Sequence, residues 1–222
     1  LFSGSRLMDL ASPDKEYQQY SIEETQRVIN MTRNLKKYFP KTERPLIIAN
    51  IGGFTMDKIL EKTELVSYYE RFSDSLSRLD MDGVEIIPQT MAPFPWHFGG
   101  QRYQNLFVHA SEIEEWCKKL DLRMCFDISH SRLMCNHFEE DFYDFCEKIA
   151  PLTAHLHLGD AAGVNGEGLQ IGEGDIDFHR LATILNQKCP NASFIPEIWQ
   201  GHKNDGEGFW VALERLENII KI

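Results

Sequence analysis

The chain has 222 residues, 42% of them hydrophobic, enough to bury one sizeable core, so a single α/β domain is the expectation. Its formal charge of −11 argues against a nucleic-acid backbone as the main partner, because phosphate binding needs a basic footprint, although local basic patches are compatible with it. No apolar run of membrane-spanning length and no charged-then-apolar leader is read. The five cysteines are odd in number, scattered and without a Cys-x-x-Cys, which predicts reduced, buried thiols in a cytoplasmic protein.

Residues 1–14 read as the end of a strand and the loop after it, with Pro13-Asp14 as a turn signal. Ser21-Ile-Glu-Glu24 has the form of a capping box, and Ile22, Val28, Ile29, Leu35 and Phe39 recur at helical spacing until Pro40, predicting a helix from Ser21. Pro45-Leu-Ile-Ile-Ala-Asn-Ile51 is a nearly continuous apolar run stopped by Gly52-Gly53, as for a strand covered on both faces. Leu65, Tyr68, Tyr69, Phe72, Leu76 and Leu79 then form one stripe of a helix over 57–79. A strand at 83–88 leads into a loop at 91–105 rich in Pro, Trp and Gly. A second capping box, Ser111-Glu-Ile-Glu114, opens a helix to Leu120. Strands follow at 124–128, 153–160 and 193–198, with helices at 138–149, 178–187 and 209–220. Five alternations of strand and helix predict a parallel sheet with crossover helices.

The run Thr153 to Asp160 reads Thr-Ala-His-Leu-His-Leu-Gly-Asp. Alternate side chains of a strand share a face, so His155 and His157 point one way and Ala154, Leu156 and Leu158 the other. Such a strand carries either a ligand pair or two satisfied core histidines. Its neighbours tip the balance toward ligands. Four strands finish on a potential ligand, Glu85, Asp127, His157 and Glu197, each about one β–α unit beyond the last. Each is flanked by apolar residues expected to face helices: Val84 and Ile86, Phe126 and Ile128, Leu156 and Leu158, Pro196 and Ile198.

Three carboxylates and an imidazole at one rim need a counter-charge, since burying unpaired ions costs several kcal/mol each. A divalent cation supplies it, and oxygen-rich sites with one nitrogen suit Mn²⁺, Mg²⁺, Co²⁺ or Zn²⁺. His130, three residues past Asp127, either contacts substrate or caps the next helix. His155, deeper on the His157 face, is expected to orient a ligand by a hydrogen bond rather than bind the ion.

The set Gly-Val-Glu85, Phe-Asp127-Ile-Ser-His130, His155-Leu-His157-Leu-Gly-Asp160, Ile171-Gly-Glu-Gly-Asp-Ile-Asp177 and Pro-Glu197-Ile resembles the xylose isomerase-like (β/α)₈ TIM barrels. That family includes sugar isomerases, epimerases of the tagatose and ribulose-phosphate type, and AP endonucleases. The matching pieces span 83–198, about half the chain, in the family's order and approximate spacing. The resemblance implies metal ligands on four consecutive strands, here Glu85, Asp127, His157 and Glu197. It makes the first visible strand the fourth, so three more are expected before Leu1, in a longer chain, unless the barrel is abbreviated. The nuclease branch bears an Asp-x-His pair where this chain has Gly166 and Gly168, which together with the acidic charge points to the isomerase side. The implied activity is a divalent-metal-dependent isomerase or epimerase of a sugar or sugar phosphate. In it Glu85 and Glu197, besides binding metal, act as acid and base on opposite faces of an enediolate.

The loop after the Glu85 strand offers Trp96 and Arg102 to a sugar, unless it is simply a packed surface loop. Trp199 is placed to wall the pocket, and Gln89 and His202 to reach hydroxyls. The glycine-rich segment before Asp177 offers backbone amides to a phosphate, but Glu167, Glu173, Asp175 and Asp177 oppose an anion, and Lys203 and Arg102 are the only nearby cations. A small carbohydrate is therefore the expected partner, with no membrane and no nucleic acid, and homo-oligomer formation is left open. Two rival readings stand beside it: a hydrolase or endonuclease-like enzyme on the same scaffold, and a non-catalytic sugar-binding domain.

Overall fold

The computed structural model describes residues 2–3, 6–97 and 100–219. Five parallel strands organise it: β1 (Leu46–Ala49), β2 (Glu85–Pro88), β3 (Met124–Asp127), β4 (Thr153–Leu158) and β5 (Ser193–Pro196). β1 pairs with β2, while β3, β4 and β5 form a second ladder, and a parallel bridge between Gln89 and Cys125 joins the two. Spatial order thus follows chain order, as successive β–α crossovers require. Beside the end of β1, Leu10 donates its N–H to the carbonyl of Ile51 at 2.9 Å. Among the described residues the strands form an open arc of barrel wall, with no ladder closing it.

The two faces of the arc follow the alternation in the sequence except at Ala154, which was expected beside Leu156 and Leu158 but lies on the other face, where the pairing with β3 shifts register between Thr153 and His155. Val84, Ile86, Phe126, Ile128, Leu156 and Leu158 are buried in the main core with the helices. On the inner face Ile87, Cys125 and Ala154 form a small cluster against Leu46 and Ile48. Behind the arc Tyr69 stacks on Trp116 with ring centroids 4.7 Å apart, and Phe72 meets Phe107 edge-on at 5.9 Å. Burying side chains of this size contributes about 2–3 kcal/mol each, which holds the helical layer together behind the arc.

Several helix ends differ from expectation. α1 (Lys15–Leu35) is capped by Asp14, whose carboxylate accepts the N–H groups of Glu16 and Tyr17. Ser21 is interior to it, donating to the Tyr17 carbonyl at 2.8 Å and accepting from Asp9 N at 2.9 Å. α2 (Lys62–Ser77) opens with a reciprocal Glu61–Glu64 capping box, and α3 (Ala110–Leu120) starts after His109 rather than at Ser111. α4 (Ile128–Phe138) springs directly from β3, where no helix was expected, and α5 (Phe142–Ile149) follows with Asp141 as cap. α6 (Phe178–Lys188) is capped by Asp177. α7 (Lys203–Glu217) turns regular only after Asn204, Asp205 and Gly206, which have positive φ. All five cysteines are free and buried, and no helix among the described residues is long and apolar enough to cross a membrane.

A candidate metal centre at the strand ends

Asp127 is both the last residue of β3 and the cap of α4. Its Oδ1 accepts the His130 N–H at 2.9 Å, and Thr90 Oγ1 accepts its own N–H at 2.8 Å. This double anchoring leaves Oδ2 for the site. His157 is in register with Asp127 on one side and Ile195 on the other. Its Nδ1 lies 3.5 Å from Asp127 Oδ2 and 2.5 Å from Glu197 Oε2. Glu197 follows β5, fixed by its N–H to the Leu158 carbonyl at 2.9 Å.

One donor atom from each of Asp127, His157 and Glu197 lies within 4.8 Å of the other two. Two carboxylate oxygens and one imidazole nitrogen at that separation fit a single divalent cation. His157 Nε2 is buried with no hydrogen-bond partner among the described residues, while Nδ1 faces both carboxylates. Asp127 is 1% exposed, whereas the Glu197 side chain is 51% exposed and faces open space.

Charge pairing outweighs burial throughout this cluster. Burial alone would raise the Asp127 carboxyl, but the charge of His130 and the hydrogen bond from His157 hold it down, to about 2. Burial would depress His157, and hydrogen bonds to Asp127, Cys125 and Glu197 raise it instead. His130 is pushed up to about 10 because Asp127 and Glu167 overcome its desolvation. A ring that holds a proton among carboxylates occupies a place where a dication is equally at home, once the ring is neutral. His130 touches Asp127 Oδ2 through Nδ1 and Glu167 Oε1 through Nε2, both at 3.1 Å. It is therefore in the first turn of α4 and also faces the site.

Glu85 is not a member of this group. It is the first residue of β2, paired with Leu46, and so lies at the opposite end of the strands. Its carboxylate makes a two-pronged pair with Arg123, at 2.8 Å to Nε and 2.7 Å to Nη2, and the Arg123 hydrogen bond holds its acidity strong. The assignment of Glu85 as ligand and acid–base group is corrected on that ground. Glu85, Ile87 and Gln89 share the inward face, and Gln89 is the one at the carboxyl end. Its Nε2 lies 2.7 Å from Asp127 Oδ2, 3.2 Å from His157 Nδ1 and 3.4 Å from His130 Nδ1. Strand parity, counted to the true end of β2, was the signal that identifies it.

His155 bonds Ser193 Oγ at 2.7 Å and packs edge-on against His157, with centroids 5.3 Å apart, so it supports that ring by contact rather than by the expected hydrogen bond. Burial and the neighbouring His157 lower it to about 4. The glycine-rich amides do not form a phosphate cradle. Those of Gly172 and Gly174 donate to Asp160 Oδ2 at 3.0 and 2.9 Å, and those of Ala161 and Ile176 to Oδ1 at 2.8 and 3.2 Å. A Cβ on Gly174 would lie 2.4 Å from Asp160 Oδ1, so glycine is required there. A cavity of about 550 Å³ adjoins Glu197, lined also by Glu167, Trp199, Gln200, His202 and Lys203. Arg102 lines a separate cavity of about 410 Å³ with Phe94 and Tyr103, and the exposed Trp96 lines neither.

The sequence pattern of the xylose isomerase-like TIM barrels matches this chain over residues 1–219. The chain belongs to that family. No curated protein matches it in sequence. Among solved structures it is similar to a D-tagatose 3-epimerase-like protein, at 20% identity and a TM-score of 0.67, covering 98% of this chain and 76% of that one. An L-ribulose 3-epimerase aligns at 16% identity and TM-score 0.69, covering 96% of this chain and 71% of the other. The D-psicose 3-epimerase of Clostridium cellulolyticum H10 does so at 16% and 0.69, covering 96% and 75%. At such identities the likeness shows the xylose isomerase-like fold that the sequence motifs implied.

Proposed function

We propose that this family member is a divalent-metal-dependent isomerase or epimerase of a small carbohydrate, working by proton transfer next to a carbonyl. The observation that carries the reading is the convergence of Asp127, His157 and Glu197 within 4.8 Å at the carboxyl ends of the strands, beside a cavity. Those three residues would hold the ion, and their donor set suits Mn²⁺, Mg²⁺ or Co²⁺ as well as Zn²⁺. When bound, a divalent ion polarises a carbonyl and its neighbouring hydroxyl and so acidifies the C–H between them.

The protein's own groups divide the remaining work. Glu197 is half exposed and lines the cavity, so it is the carboxylate able to take the proton from carbon and return it. Asp127 is buried, with Oδ1 committed to the α4 cap, and serves as ligand alone. His130, held between Asp127 and Glu167, positions the Glu167 carboxylate toward sugar hydroxyls. Trp199 presents an indole to the apolar face of a ring. With the glycine-rich amides engaged by Asp160, and the carboxylates of Glu167 and Glu197 lining the cavity against the one ammonium of Lys203, the cavity suits a neutral sugar better than a phosphorylated one. The sugar epimerases among the structural neighbours support the same substrate class.

The test is ¹H NMR of ketoses incubated with the Mn²⁺-supplemented protein in D₂O. Signal loss at a carbon next to the carbonyl is expected, and Glu197→Gln should abolish it while the fold persists. Exchange undiminished in that variant would refute the assignment of Glu197.

A further inference from the structure

With Glu85 at the far end of β2, the strand's contribution to the site is an amide. We propose that Gln89 is a fourth donor to the ion through its side-chain oxygen, and that its neutrality confines carbon-proton transfer to the Glu197 side of the substrate. The chain then shifts a carbonyl between adjacent carbons rather than inverting one carbon. This rests on the metal-dependent reading above.

The placement is direct. The Gln89 amide sits 2.7 Å from Asp127 Oδ2 and 3.2 Å from His157 Nδ1, within the same small volume as the donor group. Turning the amide about its last bond exchanges nitrogen for oxygen without moving the strand, and an amide oxygen is an ordinary donor to Mn²⁺ or Mg²⁺. The parallel bridge between Gln89 and Cys125 fixes its backbone against β3. Two carboxylates, one imidazole and one amide balance a dication without excess negative charge.

An amide neither accepts nor yields a proton near neutral pH, so the β2 wall has no acid or base. Asp127 is enclosed, which leaves Glu197 as the ligand-group carboxylate open to substrate. A C–H bond breaks, its proton passes to a Glu197 oxygen, and its electron pair forms the carbon–carbon double bond of an enediolate. Glu197 returns the proton to the adjacent carbon on the same face. The hydroxyl proton moves between the two sugar oxygens by way of Glu167, so no oxidant or reductant is needed.

The test is Mn²⁺ titration by calorimetry and electron paramagnetic resonance on the whole chain and on Gln89→Leu, Gln89→Glu and Asp127→Asn, with circular dichroism to confirm folding. Gln89→Leu should weaken Mn²⁺ binding about tenfold or more, and Gln89→Glu should tighten it about as much. Wild-type affinity in a folded Gln89→Leu, with Asp127→Asn weakened, overturns the Gln89 assignment and leaves the ion reading standing. No Mn²⁺ binding by the wild type overturns both. D-ketohexoses and D-ketopentoses with Mn²⁺ in D₂O should give aldoses deuterated at C2. Inversion of a ketose carbon by the wild type, or no isomer from any of these sugars, overturns the reaction half.

Discussion

Replacing Asp160 with Asn should cost the fold about 3 kcal/mol, because its carboxylate is a hub for four backbone donors. Oδ1 takes the N–H groups of Ala161 and Ile176, and Oδ2 those of Gly172 and Gly174, all between 2.8 and 3.2 Å. Asparagine keeps one acceptor and turns an NH₂ toward two of the donors. A hydrogen bond to a charged group is worth about 1.5–3 kcal/mol, so losing two would cost roughly 3–6 kcal/mol. Gly172 is exposed and regains water, which brings the total to the lower end. Asp160→Ala abandons all four donors and should cost more, about 6 kcal/mol at the same lower end. Urea denaturation followed by circular dichroism measures both. A change of under about 0.5 kcal/mol in Asp160→Asn would refute the view that this carboxylate holds the loop.

Burial raises the Asp9 carboxyl from 3.8 to about 6, against the N–H groups of Gly53 and Ala11. The folded chain therefore holds the proton more tightly than the unfolded one, and stability falls as pH rises from about 4 to 6 and stays lowered above. Asp9→Asn keeps an acceptor and should flatten that slope, adding up to about 3 kcal/mol at pH 7, read from denaturation at pH 4.5 and 7. Glu85→Gln breaks a pair whose arginine is more than half exposed, so it should cost at most about 1 kcal/mol and leave Mn²⁺ affinity unchanged by calorimetry. A Cβ on Gly159 would lie 2.6 Å from the Glu197 carbonyl, so Gly159→Ala should displace Glu197 and weaken Mn²⁺ binding about tenfold while circular dichroism shows a folded chain.

Much of this was legible in the residues because strand parity is local. The outward pairs around Ile86, Phe126 and Leu156 mark the helix-facing side, and Asp127, His157 and Glu197 fall at strand ends on the other side. Glu85 misled for a specific reason. Its short strand is apolar around it and reads alike from either end, and what fixes its place is non-local, the pair with Arg123 and the Gln89 bridge to Cys125. The Ser21 and Ser111 capping patterns were decoys, since Asp14 and His109 precede the first helical turns. α4 was hidden because its cap is Asp127 itself, a residue already read as a ligand. The glycines after Gly159-Asp160 offered amides that the neighbouring carboxylates already set against an anion, and only the folded chain shows the amides of Gly172 and Gly174 turned onto Asp160.

Whether Asp127, His157 and Glu197 share one divalent ion is tested most directly by anomalous diffraction from crystals grown with Mn²⁺. The arrangement predicts a single peak bounded by Asp127 Oδ2, His157 Nδ1 and Glu197 Oε2, with the Gln89 side chain against it and Glu85 still paired with Arg123. No peak there at saturating Mn²⁺, or a peak held by Glu85, would contradict it.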